Sequence, residues 1–290
     1  KLKAGLDTKG LPTTFEAKLV SPSSSLHIAQ ALGSFFPPWI YENGYDLFIV
    51  EGMPQQPLDD VENQYLIPNI DVKYVPSDID MKWGFWRSVG AAGNKFAIES
   101  FIDEIAQISK ADPLELRTKL LKHNKRALNV LEKAKLQSNW GKPQKGHFQG
   151  FAYADSLNCI QTQVAEISIN QRGQIDIHKI TCVLDCGPTH NPHLVHQQVE
   201  GSIIFGLNAV ILGEINVQNG QIVESNYDDY KMLRLKDTPP IDVHLVASSA
   251  KQGRIGEIGT PVIGPAVANA VFAATGKRIR RLPIRKEDLA

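Results

Sequence analysis

Cysteine is scarce in this 290-residue chain, which holds only Cys159, Cys182 and Cys186. Three thiols make no disulfide framework, and an iron–sulfur or zinc site would want more thiolates or well-placed histidines. They read as small buried hydrophobes, with Cys182 and Cys186 on one face of a strand through TCVLDC. Net charge is missing as well. The 31 basic residues balance 31 acidic ones, which removes the electrostatic case for binding nucleic acid or an anionic membrane. No apolar run is long enough to span a bilayer, and the longest, residues 202–212, is interrupted by Asn208. No signal peptide is visible, and the chain opens at Lys1 rather than Met, as a processed or cut start would. Walker, GxGxxG, HExxH and GxSxG motifs are all absent.

What is present is an alternation of short strands and helices. Residues 14–20, 46–53 and 71–77 read as strands, with a short helix over 26–36 that Pro37-Pro38 ends. Phe96, Ala97, Phe101, Ile105 and Ile108 stand at helical spacing, with Asn94 as the N-cap. Pro113 opens a second helix and a third covers about 126–135. The linker 141–150 is the expected boundary between a β-rich then helical domain, 1–140, and a second domain, 141–290. Beyond it come a hairpin turning at 170–173, a helix from Asn191-Pro192 and a second hairpin at Asn219-Gly220. A strand over 241–247, an apolar helix stopped by Gly276 and a last strand over 277–284 follow. On or beside that strand the basic cluster Lys277, Arg278, Arg280, Arg281 and Arg285 reads as serving solubility and edge protection, with partner binding as the alternative, and Asp103 and Glu104 on the first helix read as surface or capping charges. Hairpins separated by helices predict an α+β fold, with mixed or antiparallel sheets and packed helices.

Three stretches could carry chemistry. GRIGEIGTP, residues 253–261, holds Glu257 among glycines at the start of a helix. Glycines at 256 and 259 let the backbone come close to a ligand, and partial desolvation of Glu257 would favour proton transfer; an exposed Glu in an ordinary loop is the alternative. In GFWRSVGAAGN, residues 84–94, Arg87 is crowded by Trp83, Phe85 and Trp86. It could present a bidentate fork to an oxyanion or simply pack on the tryptophans. In DCGPTHNPHLVHQQVEG, residues 185–201, His190, His193 and His196 lack an acidic ligand of fixed spacing, so no metal site is expected from protein side chains. Gln197 and Gln198 could meet a polar cofactor or be a solvated pair.

Together these stretches resemble the molybdenum-binding large subunit of the xanthine dehydrogenase and aldehyde oxidase family, closest to the isoquinoline 1-oxidoreductase type. The anchors are GFWRSVG with FAIESFIDEIA, LDCG…NP…QVEGSIIFGL, SNYDDYKMLR, and GEIGTP with PAVANAVFAATGKRIRRLPI. The resemblance implies a molybdenum–pterin cofactor, in bacteria usually molybdopterin cytosine dinucleotide. It implies oxidation of an aldehyde or N-heteroaromatic substrate with an oxygen derived from water. Electrons would leave through [2Fe–2S] clusters on a partner iron–sulfur subunit, with a cytochrome c among the candidate partners. The family's glutamate that activates the attacking oxygen falls on Glu257, its substrate-orienting arginine on Arg87 beside Trp86, and its cofactor-binding glutamine on Gln198. Gly256 and Gly259 would line the cofactor, and Tyr153 in GFAYA falls where relatives carry a substrate-flanking side chain.

Two departures qualify the match. The family's GFGGK-like loop and MGQG motif are missing, so the chain resembles the C-terminal part of a longer subunit, completed by another segment or chain. Relatives also carry polar residues where Ala91-Ala92-Gly93 stand. A noncatalytic assembly or scaffold relative is the alternative reading. The resemblance favours a periplasmic or membrane-associated setting over the cytoplasm.

Overall fold

The computed structural model describes residues 1–22, 53, 65–77 and 84–289. The expected helix at 26–36, all of the 46–53 strand except Met53, and Trp83 lie outside them. The chain divides into two units, Lys1–Leu128 and Asn129–Ala290. The division falls inside a helix, whereas the 141–150 linker runs directly into a strand of the second unit.

In the first unit β1 (Leu2–Leu6), β2 (Pro12–Ser21) and β3 (Asn69–Pro76) form a sheet in that order. β1 runs antiparallel and β3 parallel to β2. Three helices follow: α1 (Val89–Ile108), α2 (Pro113–Leu120) and α3 (Lys125–Gln137), the last crossing into the second unit. Pro113 begins α2 as its position predicts, and the Asp112 carboxylate caps it by accepting from the Leu114 and Glu115 amides. Phe15 of β2 meets Phe101 of α1 edge-on, with centroids 6.1 Å apart.

α1 starts earlier than expected. Asn94 is not its cap but lies buried within it, because Gly90-Ala91-Ala92-Gly93 is helical rather than a loop. Asp103 is not a surface charge either. It lies buried on α1 with Lys95 and Glu99, at spacings of four that place all three on one stripe. Glu99 accepts from Arg117 Nε at 2.9 Å and from Tyr65 Oη at 2.8 Å, and Arg117 reaches the carbonyls of Glu99 and Pro113, each at 3.0 Å. Arg117 and Glu99 are both fully buried. Burial opposes the guanidinium charge, but Glu99, Tyr65 and Asp103 outweigh it and hold the Arg117 pKa above its ordinary value.

The second unit is built on a four-stranded sheet in the order β4 (Phe148–Ser156), β5 (Cys159–Ile169), β6 (Ile175–Asp185), β9 (Ile241–Leu245). The first three strands are an antiparallel meander, and β9 adds parallel to β6. That parallel return needs a long crossover. It consists of α4 (Pro192–Ile211) and the small hairpin β7 (Val217–Gln218), β8 (Gln221–Ile222). Asn219 and Gly220 have φ of 51° and 77°, the left-handed pair that a type I′ turn requires. α5 (Thr260–Thr275) is buried on every side over 260–271 and lies against β4. A Cβ on Gly150 would stand 2.1 Å from the Ala270 nitrogen and 2.2 Å from the Ala266 oxygen, so only glycine admits this approach. β4 escapes the sequence reading because Gly150, Ala152 and Ala154 leave room for α5 instead of supplying the bulky residues that mark a strand. The expected last strand does not form, and residues 277–284 are irregular. The Arg278 guanidinium turns back over the Phe272 ring, 3.4 Å from its centroid, so the basic cluster protects no sheet edge there. The α+β expectation holds, with mixed sheets and packed helices.

Replacing Arg117 with Met leaves Glu99 buried without its cation. Urea unfolding should show a loss of about 3–5 kcal/mol, and the double variant Glu99→Leu/Arg117→Met should recover much of it.

Candidate functional site

Glu257 lies half-buried on a turn over residues 255–259 that leads straight into α5. Each carbonyl around it is held. The Gly256 oxygen accepts from Gln198 Nε2 of α4 at 3.4 Å. The Glu257 oxygen accepts from the Thr260 amide at 3.2 Å. The Ile258 oxygen accepts from Gln161 Nε2 of β5, and the Gly259 oxygen from Gln163 Nε2 at 2.8 Å. Gln161 and Gln163 are fully buried, and their spacing of two puts both on one face of the strand. Behind them the Cys182 thiol donates to Gln161 Oε1 at 3.4 Å. Burial pushes the Cys182 pKa up, so it stays a thiol and a donor. None of the three cysteines forms a disulfide and all are buried, as composition implied.

Gly259 is needed for close packing. A Cβ there would lie 1.9 Å from Ser202 Oγ and 3.1 Å from the Val199 oxygen, both on α4. Thr260 Oγ1 also donates to the Ser202 carbonyl at 3.1 Å, so α4 and the turn are locked together. Gly256 is less confined, since its Cβ would meet only Gln198 Nε2, at 3.5 Å.

α4 has two unlike faces. Val195, Val199, Ser202, Ile203, Gly206, Leu207 and Val210 are buried. Leu194, Gln197, Gln198, Gly201 and Phe205 are exposed, with Leu194 and Phe205 at 57% and 42%. At Gly201 an added Cβ would meet nothing within 4 Å. An amide, a side-chain-free backbone position and two apolar side chains thus line a surface beside the Glu257 turn. Gln197 is accounted for by an intrahelical contact, its Nε2 lying 3.2 Å from His193 Nε2. Among the described residues no group of three or more His, Cys, Asp or Glu is placed to hold a metal ion.

The structure therefore brings together Gln198, Gly256, Glu257 and Gly259. Tyr153 does not join them. It pairs with Thr162 in the β4–β5 register, so its side chain leaves the opposite face of the sheet from Gln161 and Gln163. It is buried there, at 1% exposure. Arg87 and Trp86 belong to the first unit, ahead of α1, with Arg87 half-buried and Trp86 43% exposed. The turn after Arg87 closes through the Val89 amide and the Trp86 oxygen at 2.9 Å. Ser88 and Val89 follow with φ of 74° and 45°, left-handed values that a β-branched residue rarely takes. Such strain costs on the order of 1–3 kcal/mol. Sequence reasoning missed Gln161 and Gln163. Their signal is two amides at a strand spacing of two within an otherwise apolar buried run.

A model of the molybdopterin cofactor-binding domain matches residues 86–239. The beta subunit of isoquinoline 1-oxidoreductase from Brevundimonas diminuta is 33% identical over 206 residues, which is 69% of this chain and 26% of that protein. A membrane-bound aldehyde dehydrogenase (pyrroloquinoline-quinone) from Gluconacetobacter polyoxogenes is 29% identical over 84% of this chain and 35% of its own length. The chain thus spans 26% and 35% of these two curated relatives. Among solved structures, the aldehyde oxidoreductase of Desulfovibrio desulfuricans superposes with a TM-score of 0.72 at 14% identity, over 98% of this chain and 47% of that one. At that identity the likeness is one of fold.

Gly259→Ala should drive the turn off α4. Thermal or urea unfolding should register a loss of about 1–3 kcal/mol, and Ser202→Gly in the same chain should recover part of it.

Proposed function

The chain belongs to the molybdopterin cofactor-binding domain family, and from that premise we propose that it forms part of a molybdenum hydroxylase. The enzyme oxidises an aldehyde or an N-heteroaromatic compound with oxygen from water. One observation carries the reading: the carboxylate of Glu257 stands on a turn tied to the same helix that exposes Gln198 and Gly201. The residues fit a large, hydrogen-bond-rich cofactor. Gln198 offers an amide, and Gly201 and Gly256 leave backbone approachable where a side chain would intrude. When bound, the molybdenum–pterin group supplies Lewis acidity and accepts two electrons.

In this reading Gln198, with Gly256 and Gly259, holds the cofactor. Glu257 takes the proton of the attacking water, a role suited to a half-buried carboxylate whose backbone cannot shift. Arg87 orients the substrate and offsets developing negative charge, with Trp86 as its apolar neighbour. Tyr153, buried on the far face of the sheet, is given no part. The cytosine dinucleotide form of the cofactor, [2Fe–2S] clusters on a partner subunit and a cytochrome c acceptor are the finer parts of the same proposal. So is completion of the site by further polypeptide, since the chain spans only 26% and 35% of its curated relatives. A relative named membrane-bound favours a periplasmic or membrane-associated setting. Among the described residues no helix is long and apolar enough to cross a membrane.

Molybdenum analysis of the chain purified with its natural partners should return close to one metal per complex. A complex without molybdenum would favour a scaffold role. In the loaded complex Glu257→Gln should lower turnover by about 10²–10⁴-fold with metal content unchanged. Retention of most activity would remove Glu257 from its role. Arg87→Ala should lower kcat by about 10²-fold while the melting temperature stays near that of the parent.

A further inference from the structure

Gln161 and Gln163 are the least expected side chains of the β-sheet. A primary amide buried in a strand costs stability unless its hydrogen bonds are made. Gln161 makes both, accepting from the Cys182 thiol and donating to the Ile258 carbonyl. Gln163 makes only one. Its Nε2 donates to the Gly259 carbonyl at 2.8 Å, while its Oε1 is buried with no hydrogen-bond partner among the described residues. A side chain kept for packing alone would be apolar here, like Ala165 on the same strand face. What Gln163 gains is therefore its hold on the turn.

The two amides grip consecutive carbonyls immediately after Glu257. With Gln198 on the Gly256 carbonyl and the Thr260 amide on that of Glu257, every peptide oxygen from 256 to 259 is engaged. The side chain between them cannot swing by backbone rotation. We infer that Gln161 and Gln163 are positioning residues for Glu257, a clamp from the sheet that fixes where its carboxylate stands. This rests on the reading of Glu257 as the group that takes the proton.

The test uses the assembled, molybdenum-loaded enzyme and the variants Gln163→Met, Gln161→Met and Glu257→Gln. Met keeps the length of Gln and removes its donor. Gln163→Met is the gentler change, because it also removes an unpartnered oxygen, and it decides alone if Gln161→Met does not fold. Hydrogen exchange followed by mass spectrometry should show faster exchange in the peptide covering 254–263, with the strands of the sheet unchanged. Molybdenum content should stay at the parental level. Per molybdenum, kcat should fall by about 10²-fold, as expected when a reacting group is displaced by about 1 Å. KM should hold, and the acidic limb of the pH profile should move. Unchanged exchange in that peptide would overturn the clamp. Faster exchange with parental kcat and pH profile would overturn the positioning role while leaving Glu257 in place. Full turnover in Glu257→Gln would instead overturn the reading of Glu257, and the positioning role with it, whatever the exchange measurement returned.

Discussion

The short turn before α5 is built by hydrogen bonds to its carbonyl oxygens. Carbonyls around a tight turn must find donors, and an open loop would take them from water. Here the oxygens of Gly256, Ile258 and Gly259 take them from side chains of α4 and β5. Each donor comes from a rigid element, so the turn inherits the rigidity of a sheet and a helix. The backbone that carries Glu257 is held on both sides by these bonds. It fits the proton-taking role proposed for Glu257.

Close approach makes the clamp possible. α4 can reach the turn only because Gly259 has no side chain to strike Ser202, and α5 can settle on β4 only because of Gly150. Gly206 plays the same part between α4 and α5, where a Cβ would stand 2.7 Å from Ile263 and 2.8 Å from the Thr260 oxygen. The first unit solves its own problem differently. Its buried stripe of charge on α1 is neutralised by Arg117, whose nitrogens reach a carboxylate and two carbonyls. Such a network is tolerable inside a protein only when its donors are met.

Much of the fold was legible because it rests on local rules. Pro113, Asn191-Pro192 and Gly276 mark helix ends, and Asn219-Gly220 marks a turn, whatever surrounds them. The failures differ in cause. One face of β4 lacks bulky residues because its partner helix needs the space. Asn94 looks like a cap because the Gly-rich stretch before it looks like a loop. The chain over 277–284 has strand composition but turns back so that Arg278 can cover Phe272. The contact with α5 that shapes β4 is distant in sequence, whereas that of Arg278 with Phe272 is local to the chain.

The candidate site divides along the same line. Glu257 among its glycines, Arg87 among aromatics, and Gln198 ahead of Gly201 were visible as residue types suited to a task. Residue order alone also carried the resemblance to the family, through its motif stretches, and the α+β class, through periodicity and punctuation, which are local properties of the chain. Tertiary structure alone decided that Gln198 reaches the Gly256 carbonyl beside Glu257, that Tyr153 faces away, and that two strand glutamines hold the turn. Gln161 and Gln163 lie almost a hundred residues from the carbonyls they bind. No pattern within a window of sequence encodes such a pairing, because it arises only when packing brings β5 under the start of α5.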